Sequence, residues 1–364
     1  MELSATIPAL LNQQVATYGS ETILRKKDRG IWNAVSWSEL DRHVRAIGRG
    51  LRAAGLAQGE LVAVLSETRP EFVYADLAIL GCGGVSLAIS TEQDAPGAGA
   101  ILRDTGAVFA IVEGEEQLDK VLSVRSGCPA LRLIVIVDMK GLRDFQDAGC
   151  ISLARLIAGG EGQSDWQATT ASVAPDHSAA VLIGRDGKRS QLTHAEIMRQ
   201  IETTGDMLDV RAGDERLAVL PMCDPVERVL GLYLALKHRI VSNYLENPET
   251  ATENLREVRP TVFGADTEAW ERLHARIVAL AANATTTQRL LYNWALRVGA
   301  DGGMMGALAN VLVLPAIRGQ LGFGRLRVAY VGDRGLSNEV AGWARALGIT
   351  VRYLNPLQKG DTHV

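Results

Sequence analysis

"LVAVLSETRPEFVYADLAILGCGGVSLAI", residues 61–89, decides the fold. Its two ends, 61–65 and 85–89, are unbroken apolar runs of five residues with no polar alternation. Such runs suit strands buried on both faces, whereas a half-exposed strand would alternate. Between them Pro70, preceded by Arg69, stands where a helix begins, and the apolar stretch to about Leu80 continues it. Proline is accepted at a first helical position because its missing N–H would be unpaired there anyway. Strand, helix and strand within about 30 residues make the crossover unit of a parallel sheet.

The same alternation extends in both directions. Upstream, "SWSELDRHVRAIGRGLRAAG" begins with Ser36 and Glu39 at capping-box spacing. Leu40, Val44, Ile47, Leu51 and Ala54 then line one helical face, and Gly55 ends it. Downstream, apolar strands are expected at 107–112 and 131–138, with helices before each. Residues 158–178 are rich in Gly, Ser, Thr, Asp and Ala and read as a linker. After it, strands are expected at 179–183, 216–222, 240–245, 261–265, 326–332 and 349–354, again separated by helices, one of them running over about 268–299. The expected architecture is α/β and doubly wound, with two parallel-sheet subdomains: 1–160, then a linker at 161–178, then 179–364.

Composition narrows the function. At 42 acidic against 38 basic residues, the net charge of −4 gives no overall affinity for nucleic acid or anionic lipid. Cys82, Cys128, Cys150 and Cys223 are scattered, which suits buried free thiols rather than a metal site. The N-terminus lacks a basic segment followed by an apolar one, so no signal peptide and a cytoplasmic location are expected. The longest apolar run, 304–317, is too short to span a bilayer and is broken by Asn310 and Pro315. Core packing is its expected role, a membrane-facing one the alternative.

Two stretches carry candidate chemistry. In "LIGRDGKRSQLTH", 182–194, Gly184, Gly187, Lys188, Ser190 and Thr193 are the raw material of a phosphate loop between a strand and a helix start. Against this, Asp186 would repel phosphate, and Thr193 with Glu196 forms a capping box. The spacing is not that of a Walker A loop. In "LPMCDPVERVLG", 220–231, Cys223, Asp224, Glu227 and Arg228 follow a strand, where α/β sheets place ligands. The plainer reading is a strand-to-helix turn with Asp224 near an N-cap and Glu227–Arg228 as a surface pair. No histidine pair or GxSxG elbow supports a zinc site or a hydrolase triad.

The order of motifs resembles the long-chain acyl-CoA synthetases of the AMP-forming, adenylate-forming superfamily. The resemblance runs over nearly the whole chain. It rests on 69–89, on "LPMCDPVERVLGLYLALK", on "PETATENLREVRPTVFGADTEAWERLH" (248–274), on "RLLYNWALRVG" (289–299) and on "GLSNEVAGWARALGI" (335–349). It implies a reaction in which a fatty acid attacks the α-phosphate of Mg-ATP, giving an acyl-adenylate that coenzyme A then intercepts. That chemistry needs a hydroxyl-rich phosphate loop, a carboxylate for magnesium, another for ribose and a lysine on a C-terminal domain.

Position by position, the frame matches and the reacting groups differ. Leu192, Thr193 and His194 match the loop's end, and Gly184 and Gly187 match two of its glycines, but Arg185 and Asp186 stand where the family has threonines. The loop is also about two residues shorter than the family's. Asp224 stands at the family histidine, and Asp266 and Thr267 replace a Pro-Arg. Gly332, Asp333, Arg334, Gly335 and Leu336 fall on the adenine-contacting motif. Asn355 to Lys359 fall on the motif whose acid holds magnesium, with Lys359 reversing the sign. The ribose aspartate and the C-terminal domain would lie beyond Val364.

The resemblance therefore implies an AMP-binding, acyl-CoA synthetase-like protein that is catalytically inactive by itself. Such a pseudoenzyme would act by binding a full-length relative, a second copy or a fatty acyl ligand, with no catalytic or metal residue of its own. ATP and Mg2+ are the family's ligands, not expected ones here. A cavity for an acyl ligand would lie near the Leu-Pro block and 261–270. The alternative is a fatty acid–CoA ligase subunit completed by another chain, and a third reading is an interrupted gene product.

Overall fold

The computed structural model describes residues 4–162, 165–184, 186–299, 303–332 and 334–355. Its strands begin with a hairpin, β1 (Thr22–Asp28) and β2 (Ile31–Ser36). Then come β3 (Leu61–Leu65), β4 (Val85–Ile89), β5 (Phe109–Val112), β6 (Leu133–Ile136) and β7 (Cys150–Ser152). A second hairpin follows, β8 (Ser178–Ile183) and β9 (Arg189–Thr193). Last are β10 (Glu215–Ala218), β11 (Val241–Tyr244), β12 (Val262–Ala265), β13 (Val328–Val331) and β14 (Val351–Tyr353).

They form two seven-stranded sheets, in the orders β7-β6-β5-β3-β4-β8-β9 and β14-β13-β12-β10-β11-β1-β2. Every pairing is parallel except the two hairpins, which supply one edge of each sheet. The α/β, two-sheet expectation holds. The opening stretch is β3, the helix Pro70–Gly81 and β4, with both strands almost wholly buried.

Sheet membership does not follow chain order. β8, the first strand after the expected linker, pairs with β4 and so extends the first sheet. The N-terminal hairpin joins the second sheet through β1 and β11. The hairpin escaped the apolar reading because β2 is largely exposed and β1 carries Arg25, Lys26, Lys27 and Asp28. Its turn has Arg29 and Gly30 both in the left-handed region, as a two-residue hairpin requires.

The linker is also more ordered than its composition implies. Within it the short helix Trp166–Ala171 is capped by Asp165, and Trp166 is buried. Its indole lies on Gly48 of the helix Trp37–Ala53 and Gly81 of Pro70–Gly81, where any β-carbon would overlap the ring. A lone large aromatic in a polar tract is the sign of such an anchor.

A central apolar cluster includes Val62 and Ile111 of the first sheet and Leu24, Tyr244 and Val262 of the second, with helices between the sheets. Two further clusters cover the outer faces. The expected long helix over 268–299 is two, Thr267–Ala282 and Thr286–Gly299. Cys82, Cys128 and Cys150 are buried free thiols and Cys223 is half-buried.

Candidate functional site

The glycine loop is the tip of the β8–β9 hairpin. Ile183 pairs with Arg189, the Gly184 N–H donates to the Lys188 carbonyl at 2.8 Å, and Gly187 adopts φ +75°. The expected strand–turn–helix is therefore corrected: β9 separates the turn from the helix His194–Leu208. Five strand residues at ~3.4 Å each put the loop roughly 17 Å from that helix N-terminus. The helix dipole fades within its first turn, so it lends the loop no field. The polar stretch Arg189–Thr193 suits an edge strand, and that polarity hid it.

Within the loop the charges answer one another. Asp186 accepts the Lys188 backbone N–H at 3.1 Å, and its carboxylate lies 3.0 Å from Lys188 Nζ. The Lys188 side chain's hydrogen bond lowers the Asp186 pKa, so the carboxylate is ionised at neutral pH. Ser190 sits on β9 opposite Leu182. Thr193 is the helix cap: its Oγ1 accepts the Glu196 N–H at 3.2 Å, while Glu196 accepts the Thr193 N–H at 2.9 Å. His194 is fully buried, and desolvation lowers its pKa to about 4. Its Nδ1 accepts the Ile7 N–H at 3.4 Å, so the Leu-Thr-His start packs the N-terminal helix. Arg185 lies outside the described residues.

The Leu-Pro block is a junction between layers. Asp224 accepts the Val226 N–H at 2.8 Å, the expected capping role. Glu227 and Arg228 open a π-helix, Glu227–Tyr233, and the expected surface pair is corrected: both are wholly buried, each with its own partner. Both carboxylate oxygens of Glu227 accept from Arg216 Nη2, at 2.5 and 2.6 Å. Burial pushes the Glu227 carboxyl up, and Arg216 opposes it. Arg228 pairs with Asp76 of the helix Pro70–Gly81, donates to Ser86 Oγ at 2.7 Å and contacts Tyr233 Oη at 3.2 Å. Tyr233 in turn donates to Asp76 at 2.8 Å.

Residues at the carboxyl ends of the second sheet do converge. Gly332, just after β13, lies against Val226, where a β-carbon would overlap the valine. Thr267 Oγ1 donates to the Gly335 carbonyl at 2.8 Å, and Asp266 caps its helix by accepting the Ala269 N–H at 2.8 Å. Leu354 donates to Val331 at 2.9 Å, which brings Asn355 beside the end of β13. Asp333 and the residues from Pro356 to Lys359, including the expected sign reversal at the metal position, lie outside the described residues. Among the described residues no cluster of His, Cys, Asp and Glu is arranged to hold a metal.

Aromatic side chains pack together in part of the expected acyl region. Tyr330 crosses Gly264 and its hydroxyl donates to the Leu230 carbonyl at 3.2 Å. Phe263, Trp270 and Phe323 pack with ring centroids 5.0–5.8 Å apart.

A cleft of about 500 Å³ lies where carboxyl ends of both sheets meet, beside the Leu-Pro block. Lys26, Glu67, Arg69, Thr91, Glu113 and Glu246 line it beside Leu220 and Pro221. Arg69 bridges Glu71 at 2.7 Å and Glu113 at 2.8 Å, and Thr68 donates to the Leu220 carbonyl at 2.8 Å. Of these, Lys26, Glu67, Thr91, Glu113 and Glu246 went unremarked in the sequence, although "SETRPE" follows a strand and so lies where sheets place ligands.

The family model described as AMP-binding enzyme matches residues 11–355. A long-chain-fatty-acid–CoA ligase of Xenopus laevis, ACSBG2, is 24% identical, over 95% of this chain and 50% of its own length. A putative fatty-acid–CoA ligase of Mycobacterium tuberculosis, fadD11, is 30% identical over 58% of this chain and 40% of its own. The chain spans about half the length of the curated relatives it matches. Among solved structures, the adenylation domain of a carboxylate reductase from Mycobacterium chelonae superposes with TM-score 0.75 at 19% identity, covering 98% of this chain and 58% of that one. The N-terminal domain of FACL13 from Mycobacterium tuberculosis gives 0.68 at 15% identity, covering 96% and 75%.

Proposed function

The chain belongs to the AMP-binding enzyme family, and from that premise we propose that it is a non-catalytic relative of the fatty acid–CoA ligases, an adenylation scaffold that works by binding. The observation that carries this reading is the ionised Asp186 at the tip of the glycine loop, 3.0 Å from Lys188 Nζ. The pair is exposed and weak in itself. What supports the reading is position: by the resemblance to the family's loop, an anion stands where phosphates would approach, and it pairs with the loop's lysine.

Three other motif residues are used by the fold. Thr193 and Asp224 cap, and Glu227 neutralises Arg216. ATP–pyrophosphate exchange with a fatty acid tests the reading: the purified chain should give none.

A second reading, an adenylation portion of a ligase completed by another polypeptide, draws support from the intact hairpin and capping box around the loop. ATP-dependent acyl-CoA formation on mixing with a full-length relative would favour it over the first.

A further inference from the structure

Of the consecutive helices Met304–Leu312 and Leu314–Leu321, the first is amphipathic the wrong way round for a core element. Gly306 and Ala309 face inward, with the Val298 carbonyl against Gly306. Met304, Met305, Leu308, Val311 and Leu312 face solvent, Met304 87% and Val311 74% exposed. Their spacing of one, four, seven and eight places them on one side of the helix. Leu290 and Leu291 of the helix packed against it, Thr286–Gly299, are exposed too. The sequence expectation of core packing for 304–317 thus holds for Gly306, Ala309 and Leu314, in part for Val313 and Ile317, and fails for Met304, Met305, Leu308, Val311 and Leu312. Scattered exposed apolar residues are ordinary, but this many on adjoining helices mark a contact surface.

Charge indicates what covers it. Residues 281–332 hold five arginines and one acidic residue, Asp301, against a net −4 for the whole chain. Arg318 is used internally, donating to the Leu347 carbonyl at 2.7 Å, and Arg327 pairs with Asp214 at 2.6 Å. Arg289, Arg297 and Arg325 are exposed and form no ion pair among the described residues. Asp301 lies outside those residues.

We propose that this face docks on an anionic phospholipid surface, with Met304, Leu308, Val311 and Leu312 entering the headgroup–acyl boundary and Arg289, Arg297 and Arg325 meeting lipid phosphates. Among the described residues no single helix is long and apolar enough to cross a membrane, and the two helices meet at a bend of 48°. One face of the first packs on the protein, so the pair lies along the interface rather than spanning it. Local cationic charge draws such a helix to anionic lipid whatever the sign of the whole chain, because screening confines the field to about 8 Å at physiological salt. Docking here is independent of whether the chain catalyses.

Flotation of the full chain with phosphatidylcholine vesicles, with and without phosphatidylglycerol, tests it. The chain should float with the mixed vesicles and much less with phosphatidylcholine alone. Leu308→Glu with Val311→Glu should cut binding at least about tenfold, with an unchanged melting temperature because both sites are exposed. Replacing Arg289, Arg297 and Arg325 by Gln should remove only the preference for anionic vesicles. Absence of flotation, or flotation that survives the double substitution, overturns the proposal. So does a dimer in solution that Val311→Glu dissociates while vesicles are ignored, since a second copy would then own the face.

Discussion

Glu227 and Arg216 meet at 2.5 Å with neither exposed, one from the first turn of a π-helix and the other from β10. Gly231, four residues on, lies against both, where a β-carbon would overlap them. The pair ties the helix after the Leu-Pro block to the second sheet, and Arg228–Asp76 ties it to the helix Pro70–Gly81. Removing one member strands a buried charge. Glu227→Ala should cost about 3–5 kcal/mol, read as a lower denaturation midpoint. Replacing both residues by Met should cost less than the single change, and a larger cost would contradict this account.

Trp166 fills a socket made by Gly48 and Gly81. Trp166→Ala should cost about 3–5 kcal/mol, measured by urea unfolding. A cost below about 1 kcal/mol would show that the short helix is dispensable.

His194 supplies a pH dependence. Its folded pKa is depressed to about 4 from 6.5 because burial disfavours the cation. The unfolded chain binds the proton first, so stability is full above about pH 6.5 and declines as pH falls toward about 4. Between about pH 7 and about pH 5 the loss should be roughly 2 kcal/mol. His194→Gln should flatten that part of the profile, and an unchanged slope would assign it elsewhere.

Asp186→Thr should barely alter stability, because the Lys188 pair is exposed. It should raise the loop's affinity for ATP about fivefold, ~1 kcal/mol for one like charge removed near water. Calorimetric titration reads it, and an unchanged constant would mean that the carboxylate does not face the anion.

Much of this was legible in the residues. Continuous apolar runs such as 61–65 and 85–89 announced buried parallel strands, and Ser36–Glu39 and Thr193–Glu196 announced helix starts that the hydrogen bonds reproduce. Edge strands were harder to read: β9 is mostly polar, and β2 buries none of its residues fully although it carries Ile31, Trp32 and Val35. Burial of Glu227 and Arg228 was missed because their partners are distant in sequence. The signal was there: beyond Glu71 in its first turn, Asp76 is the one charge in the apolar helix Pro70–Gly81, and a buried charge must find a cation. The outward apolar face of Met304–Leu312 could not be told from a core face by periodicity, which gives the stripe but not its direction.

The most direct test of the central claim is ATP–pyrophosphate exchange by the purified chain, with saturating Mg-ATP and a long-chain fatty acid. No exchange above a protein-free blank is predicted. Exchange above that blank, abolished by Lys188→Ala, would contradict it and make the glycine loop a working nucleotide site.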